Sequence, residues 1–321
     1  NGNAFYLLNL LFYRFYDIYR LGRLYLPIIA SYPKSRIRTE QGVLQAAEWR
    51  IFMFYKSTRN SNIKVSSAEA ITQGISVEGG LFVPESIPSI SLDEITSLAD
   101  KSYADRAAFV FSKFLTDFTD VEIHYCTDNA YNTKNFESES ITEISHLFDG
   151  TYMLELWHGP TCAFKDMALQ ILPYFLTTSA KKINLDKKIV ILVATSGDTG
   201  KAALEGFKDV EGTSILVFYP EDGVSPMQKR QMKTQEGGNV GVCAIKGNFD
   251  DCQNGVKAIF TDDEVKNQLE NAGLMFSSAN SINWGRLVPQ VVYYISSYAE
   301  LVKDGEIELG EKINIVVPTG N

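Results

Sequence analysis

The stretch Ile189-Val190-Ile191-Leu192-Val193-Ala194, followed at once by Thr195-Ser196-Gly197-Asp198-Thr199-Gly200-Lys201, decides the fold. Six apolar residues without polar alternation predict a strand covered on both faces. The small polar run after them predicts a loop leading into a helix over residues 201–208. Outward from this unit the pattern repeats, with strands expected at 215–219 and 240–245 and helices at 226–235 and 250–260. Upstream, 153–156 reads as a short strand and 165–177 as a helix; downstream, 313–317 reads as a last strand. Strands alternating with helices imply an α/β fold with parallel sheets and flanking helices. In such sheets ligands bind beyond the carboxyl ends of the strands, so the loops there are where chemistry is expected.

Composition bounds what those loops can serve. The 321 residues, 45% apolar and 12% aromatic, suffice for about two globular domains. A net charge of -9 has the wrong sign for tracking a phosphate backbone, which excludes nucleic acid as the expected partner. Four cysteines without a CxxC pair, and only three histidines, argue against a structural zinc site or a disulfide framework and for a reducing, cytoplasmic compartment. No metal is expected.

The averages conceal a seam. Residues 1–52 carry net +4 and eleven aromatic residues, whereas the remaining 269 residues carry net -13 and 27 aromatics. The apolar run from Phe5 to Ile29 is broken by Arg14, Asp17, Arg20 and Arg23, well short of the roughly 18 uninterrupted residues of a membrane span. An interfacial basic-aromatic helix is one reading of it. The other starts from Met53, the first methionine, which follows Trp49-Arg50 by two residues; those codons can read TGG-AGG, a purine-rich ribosome-binding sequence. Residues 1–52 are accordingly expected to be translated leader or an unrelated extension. Residues 53–145 form a small mixed unit in which Ser67-Ala68-Glu69-Ala70 opens a short helix ended by Gly74, Glu78-Gly79-Gly80 turns into 81–84, and helices cover 92–99 and 106–115. Residues 146–321 carry the alternating pattern, with a smaller domain nested at about 190–300.

Three loops carry candidate chemistry. In the first, His158-Gly159-Pro160-Thr161-Cys162-Ala163-Phe164-Lys165-Asp166, helical spacing puts Lys165 on one face with Ala168, Leu169 and Leu172. A lysine on an apolar stripe either has a lowered pKa and a neutral amine fit for nucleophilic or Schiff-base work, or snorkels to solvent from the first turn. The second is the 194–201 loop, whose small residues let the backbone approach an anion. It misses the nucleotide P-loop at Thr195 and Ala202, and it also reads as a plain strand-to-helix turn. The third is Pro318-Thr319-Gly320-Asn321, where a sheet element is left unfinished, so the chain is expected to be truncated there. Nearby, Asn280-Ser281-Ile282-Asn283-Trp284-Gly285-Arg286 gathers amides, a hydroxyl and a guanidinium suited to a carboxylate or phosphate. The same segment reads equally as a helix start in which Asn283 caps 284–299 and Arg286 is solvated.

Taken in order, these motifs resemble the threonine synthase family of pyridoxal-phosphate enzymes with fold type II. The resemblance rests on residues 67–74 and 79–84, on His158-Gly159-Pro160-Thr161 with Phe164-Lys165-Asp166, on residues 195–200, on Asn280-Ser281-Ile282-Asn283 with Arg286, and on residues 318–321. It implies that Lys165 is the covalent anchor of pyridoxal 5'-phosphate and that Asp198 lies near the ring hydroxyl. It implies further that Gly320 and Asn321 begin the loop binding the cofactor phosphate. Ser196 and Thr199 face the substrate carboxylate, while Asn280, Ser281 and Arg286 hold the substrate's own phosphate. The implied reaction turns O-phospho-L-homoserine and water into L-threonine and phosphate. Two alternatives stay open, another lyase or dehydratase of the same fold and a catalytically silent relative acting as a binding module. Because half the cofactor loop is absent, the 321-residue chain alone is expected to bind cofactor weakly and to be inactive.

Overall fold

The computed structural model describes residues 52–318. The readings made for residues 1–51 and for Gly320 and Asn321 therefore lie outside the described residues. Phe52–Glu311 form one compact unit, and Lys312–Pro318 belong to a second.

The first strands of the larger unit, β1 (Tyr55–Ser57), β2 (Lys64–Val65) and β3 (Phe82–Pro84), make an antiparallel sheet in the order β2-β1-β3. Four helices accompany it in the chain, α1 (Ser67–Gln73), α2 (Leu92–Leu98), α3 (Tyr103–Phe114) and α4 (Asp120–Ala130). Their starts are written locally. Ser66 with Glu69, Ser91 with Glu94 and Thr119 with Glu122 each satisfy two free N–H groups through a reciprocal capping box. Gly74, at φ 72°, ends α1 as expected. Aromatic residues tie these helices to the rest of the unit. Phe111 and Phe118 meet Phe175 edge to face, at 5.0 and 6.2 Å between centroids, each such pair adding about 1 kcal/mol to the burial of its rings.

The strand expected at 153–156 is half of an antiparallel hairpin, β4 (Glu143–Phe148) and β5 (Thr151–Glu155), and not part of the parallel sheet. Turn residues Asp149-Gly150 close the hairpin, with Gly150 at φ 64°. The helix expected at 165–177 is two helices, α5 (Asp166–Leu169) and α6 (Leu172–Lys182). Pro173 near the start of α6 has no N–H to give to Leu169, four residues back, so the ladder restarts there.

The parallel sheet has four strands, β6 (Lys188–Ala194), β7 (Thr213–Pro220), β8 (Val240–Ile245) and β9 (Leu274–Ser278), in the order β8-β7-β6-β9. Between them run α7 (Asp198–Phe207), α8 (Pro226–Lys233), α9 (Phe249–Thr261) and α10 (Asp263–Asn271). Three of these strands and three helices fall where the periodicity puts them. Helix α10 escapes it because none of its residues is buried, and β9 because it ends in two buried serines. After β9 come α11 (Trp284–Leu287) and α12 (Pro289–Lys303), a pair where a single helix was expected, again parted at a proline. Residues 313–317 are not a strand. They run without regular structure, Val316 being 89% exposed, since an extended segment holds only through a neighbour's ladder. No helix among the described residues is long and apolar enough to cross a membrane.

Candidate active site

The carboxyl ends of the parallel strands carry the loops 195–197, 221–225 and 279–283. At this edge Lys165 Nζ lies 2.7 Å from Asp198 Oδ2. The lysine stands immediately before α5, with a side chain only 14% exposed and its ammonium 4.5 Å from the centroid of the Phe164 ring. It thus caps the helix at its amino end, its carbonyl accepting from the N–H groups of buried Ala168 and Leu169.

Asp166 holds the lysine's loop in shape. Its fully buried carboxylate accepts hydrogen bonds from Thr161 N at 2.9 Å and Thr161 Oγ1 at 2.7 Å. Burial raises its pKa, against the pull of those two bonds. Gly159 allows the close approach, for a β-carbon there would meet Asp166 Cβ at 2.5 Å. At the front of the loop His158 Nε2 is 2.8 Å from Glu155 Oε2. Sequence reading gave Asp166 no role; its spacing from Thr161 and Gly159 was the available signal.

The 195–200 loop is organised by Thr195. Its buried Oγ1 accepts from Gly197 N at 3.0 Å and Gly200 N at 2.9 Å. The residue that spoils the P-loop pattern is therefore what folds this turn, a role the sequence reading missed. Gly200 has no room for a side chain, since its β-carbon would lie 2.5 Å from Thr195 Cγ2. Asp198 Oδ1 accepts from Thr199 N at 2.9 Å, leaving Oδ2 for Lys165.

Arg286 is buried, 2% exposed, and not solvated as the capped-helix reading had it. Its Nη1 donates to Ala279 O at 2.8 Å, while Nε is buried without a hydrogen-bond partner. Desolvation pulls its pKa down to about 10, with Asp198 and Asp166 among the groups acting in the opposite direction. Helix α11, which bears it, packs on α5. Lys165, Asp198, Asp166 and Arg286 thus share one neighbourhood. Ser196 and Ser281 are exposed, Thr199 and Asn280 half-buried. Among the described residues no hydrogen bond links Ser196, Asn280 or Ser281 to Lys165. Asn283 does cap α11, accepting from Gly285 N, but its buried Nδ2 also donates to Ile71 O and Ser278 O, each at 2.9 Å. It staples α1 to β9. A primary amine beside a carboxylate, glycine-lined backbone and a buried guanidinium nitrogen without partner suit a ligand that offers a carbonyl carbon and an anionic group.

The fold and this lysine-carboxylate pair define an α/β protein with a primary amine set at the carboxyl edge of a parallel sheet. Comparison with known sequences and structures then narrows the class. The family profile described as the threonine synthase N terminus matches residues 54–131. Threonine synthase-like 1 of Homo sapiens is 39% identical over 263 residues, which is 79% of this chain and 35% of that protein. The threonine synthase of Schizosaccharomyces pombe is 37% identical over 275 residues, 83% of this chain and 52% of its own length. Among solved structures, PLP-bound threonine synthase from Brucella melitensis superposes with a TM-score of 0.70 at 36% identity, covering 78% of this chain and 52% of that one. Yeast threonine synthase superposes with a TM-score of 0.68 at 33% identity, covering 77% and 50%. The chain has the fold type II α/β architecture of these threonine synthases, is similar to them over about four fifths of its own length, and spans about half of theirs.

Proposed function

We propose that the protein containing this chain binds pyridoxal 5'-phosphate through Lys165 and converts O-phospho-L-homoserine and water to L-threonine and phosphate. The observation that carries the reading is the Lys165 amine held 2.7 Å from Asp198 at the carboxyl edge of the parallel sheet. Lys165 and Asp198 would hold the cofactor; the group, when bound, would supply an electron sink for charge at the substrate's α carbon. Lys165 Nζ would take the α proton from the bound substrate, and Asp198, 2.7 Å away, would keep that nitrogen in place between transfers. A β proton is lost as phosphate departs from the γ carbon with the C–O electron pair. The γ carbon then takes a proton, the hydroxyl of water adds at the β carbon with its remaining proton passing to phosphate, and the α proton is returned. Arg286, a buried cation with a free Nε, stabilises the negative charge that leaves. Asn280 and Ser281 contribute to the same subsite, and Ser196 and Thr199 serve the substrate carboxylate. The location proposed is cytoplasmic.

A second reading is favoured by the 39% identity to the threonine synthase-like 1 proteins. There the site binds the cofactor but does not perform this turnover. The complete gene product tests both. After borohydride reduction in the presence of pyridoxal phosphate, peptide mapping is expected to find the adduct on Lys165; an adduct elsewhere, or none, refutes the first step. Phosphate release from O-phospho-L-homoserine then separates the synthase from the silent relative, and its absence in a protein that carries the adduct selects the second reading.

A further inference from the structure

Helix α8 follows β7, and its amino end stands at the same sheet edge as the 195–200 loop. Read locally, Ser225-Pro226-Met227-Gln228 is a helix start. Ser225 Oγ accepts from Gln228 N at 3.2 Å and donates to Gln228 Oε1 at 3.1 Å. The fold gives the same glutamine a second contact. A β-carbon on Gly197 would lie 2.4 Å from Gln228 Oε1, 2.6 Å from Cδ and 2.7 Å from Nε2, so the carboxamide fills the space a side chain at 197 would occupy. One turn further along α8, Met232 Sδ would lie 3.0 Å from a β-carbon on Gly200. The i and i+4 residues of α8 thus seat against the two glycines that bracket Asp198 and Thr199. Thr195 holds this turn from inside through Gly197 N and Gly200 N; Gln228 closes it from outside.

We propose that Gln228 is a positioning residue of this site: its carboxamide braces the turn at residues 196–197 and so fixes Asp198 against Lys165. The effect passes through Asp198, and the inference rests on the functional reading above only in what the fixed carboxylate is for.

The test uses the complete gene product without cofactor, with amide hydrogen exchange followed by mass spectrometry. Gln228→Ala is expected to speed exchange across residues 196–200 about tenfold while the strands on either side keep their protection, as for the loss of a local restraint. Gln228→Glu retains the reach and the helix cap but sets a carboxylate beside Asp198. It is expected to restore protection at the start of α8 and not at the turn, and it serves where the alanine variant fails to fold. Met227→Ala, at a neighbour 67% exposed, is the control and should leave the turn unchanged. Wild-type exchange at 196–200 in Gln228→Ala, or full recovery in Gln228→Glu, would reduce the glutamine to a helix cap and overturn the proposal. In the loaded protein Gln228→Ala is expected to weaken pyridoxal phosphate binding about tenfold, read by absorbance titration, as for one lost favourable contact. Failure of the wild type to trap the cofactor on Lys165 would defeat the functional reading and leave the exchange result standing.

Discussion

Arg286 is charged in a place where charge is expensive to keep. Its side chain is 2% exposed, one nitrogen has no partner, and no carboxylate among the described residues lies within ion-pair distance. A buried cation of this kind can often be replaced by an apolar side chain of similar volume with no loss of stability, which points to a use beyond folding. Arg286→Met in the complete gene product should therefore match the wild type or exceed its unfolding free energy by about 1–2 kcal/mol. Phosphate release should nonetheless fall about 100-fold or more. Denaturant unfolding and the phosphate assay measure the two sides, and a variant both unstable and active would contradict the assignment. Asp166 gives a test that depends on pH. Burial raises its folded pKa, so its contribution to stability is complete below the ordinary carboxyl value of about 3.9 and is lost as pH rises through the folded value. Asp166→Asn titrates in neither state. The difference in unfolding free energy should move in the variant's favour as pH rises above the ordinary carboxyl value of about 3.9; a difference independent of pH would mean that the carboxyl is not perturbed.

At the scale of elements, the site depends on how closely α5, α7, α11 and β9 approach. Gly206, in the last turn of α7, sits where a β-carbon would lie 2.1 Å from Leu169 O, a backbone atom that cannot turn aside. Gly206→Ala should destabilise the protein by about 2–3 kcal/mol in chemical denaturation, by forcing α5 away from α7 and with it the Lys165 loop from Asp198. A neutral result would show that the two helices are not fixed to each other. Elements were unevenly legible in the sequence for related reasons. Strands β6 and β7 announce themselves because central, well-covered strands are apolar along most of their length, and edge strand β8 because its run Val240–Ile245 is apolar although only half-buried. Strand β9 does not, since Ser277 and Ser278 face the tight junction with Gly74 and Asn283, where only small residues fit. Of hairpin β4–β5 only β5 was legible; β4 alternates too weakly to be separated from loop.

For the molecule as a whole, the decisive fact is that the chain spans about half of the threonine synthases it matches. The lysine, its carboxylate partner and the buried arginine all lie among the described residues. Titration of the 321-residue chain with pyridoxal phosphate is expected to show weak binding, and titration of the complete gene product tight, stoichiometric binding. Equal affinities would mean that residues 52–318 already contain every contact that matters. What the sequence alone determined is the alternation of strand and helix, the helix starts with their capping residues, and the place of Lys165 before its helix and of the 195–200 loop between strand and helix. Each is settled within a few neighbouring residues, by apolar periodicity, by side chains that cap their own backbone, or by a charge misplaced on an apolar stripe. Only the tertiary structure decided that Asp198 meets Lys165 across 33 positions, that Arg286 is buried, and that Asn283 ties β9 to α1 across 212. Those outcomes depend on which surfaces close upon one another, and close packing between segments far apart in the chain leaves no periodic trace in either.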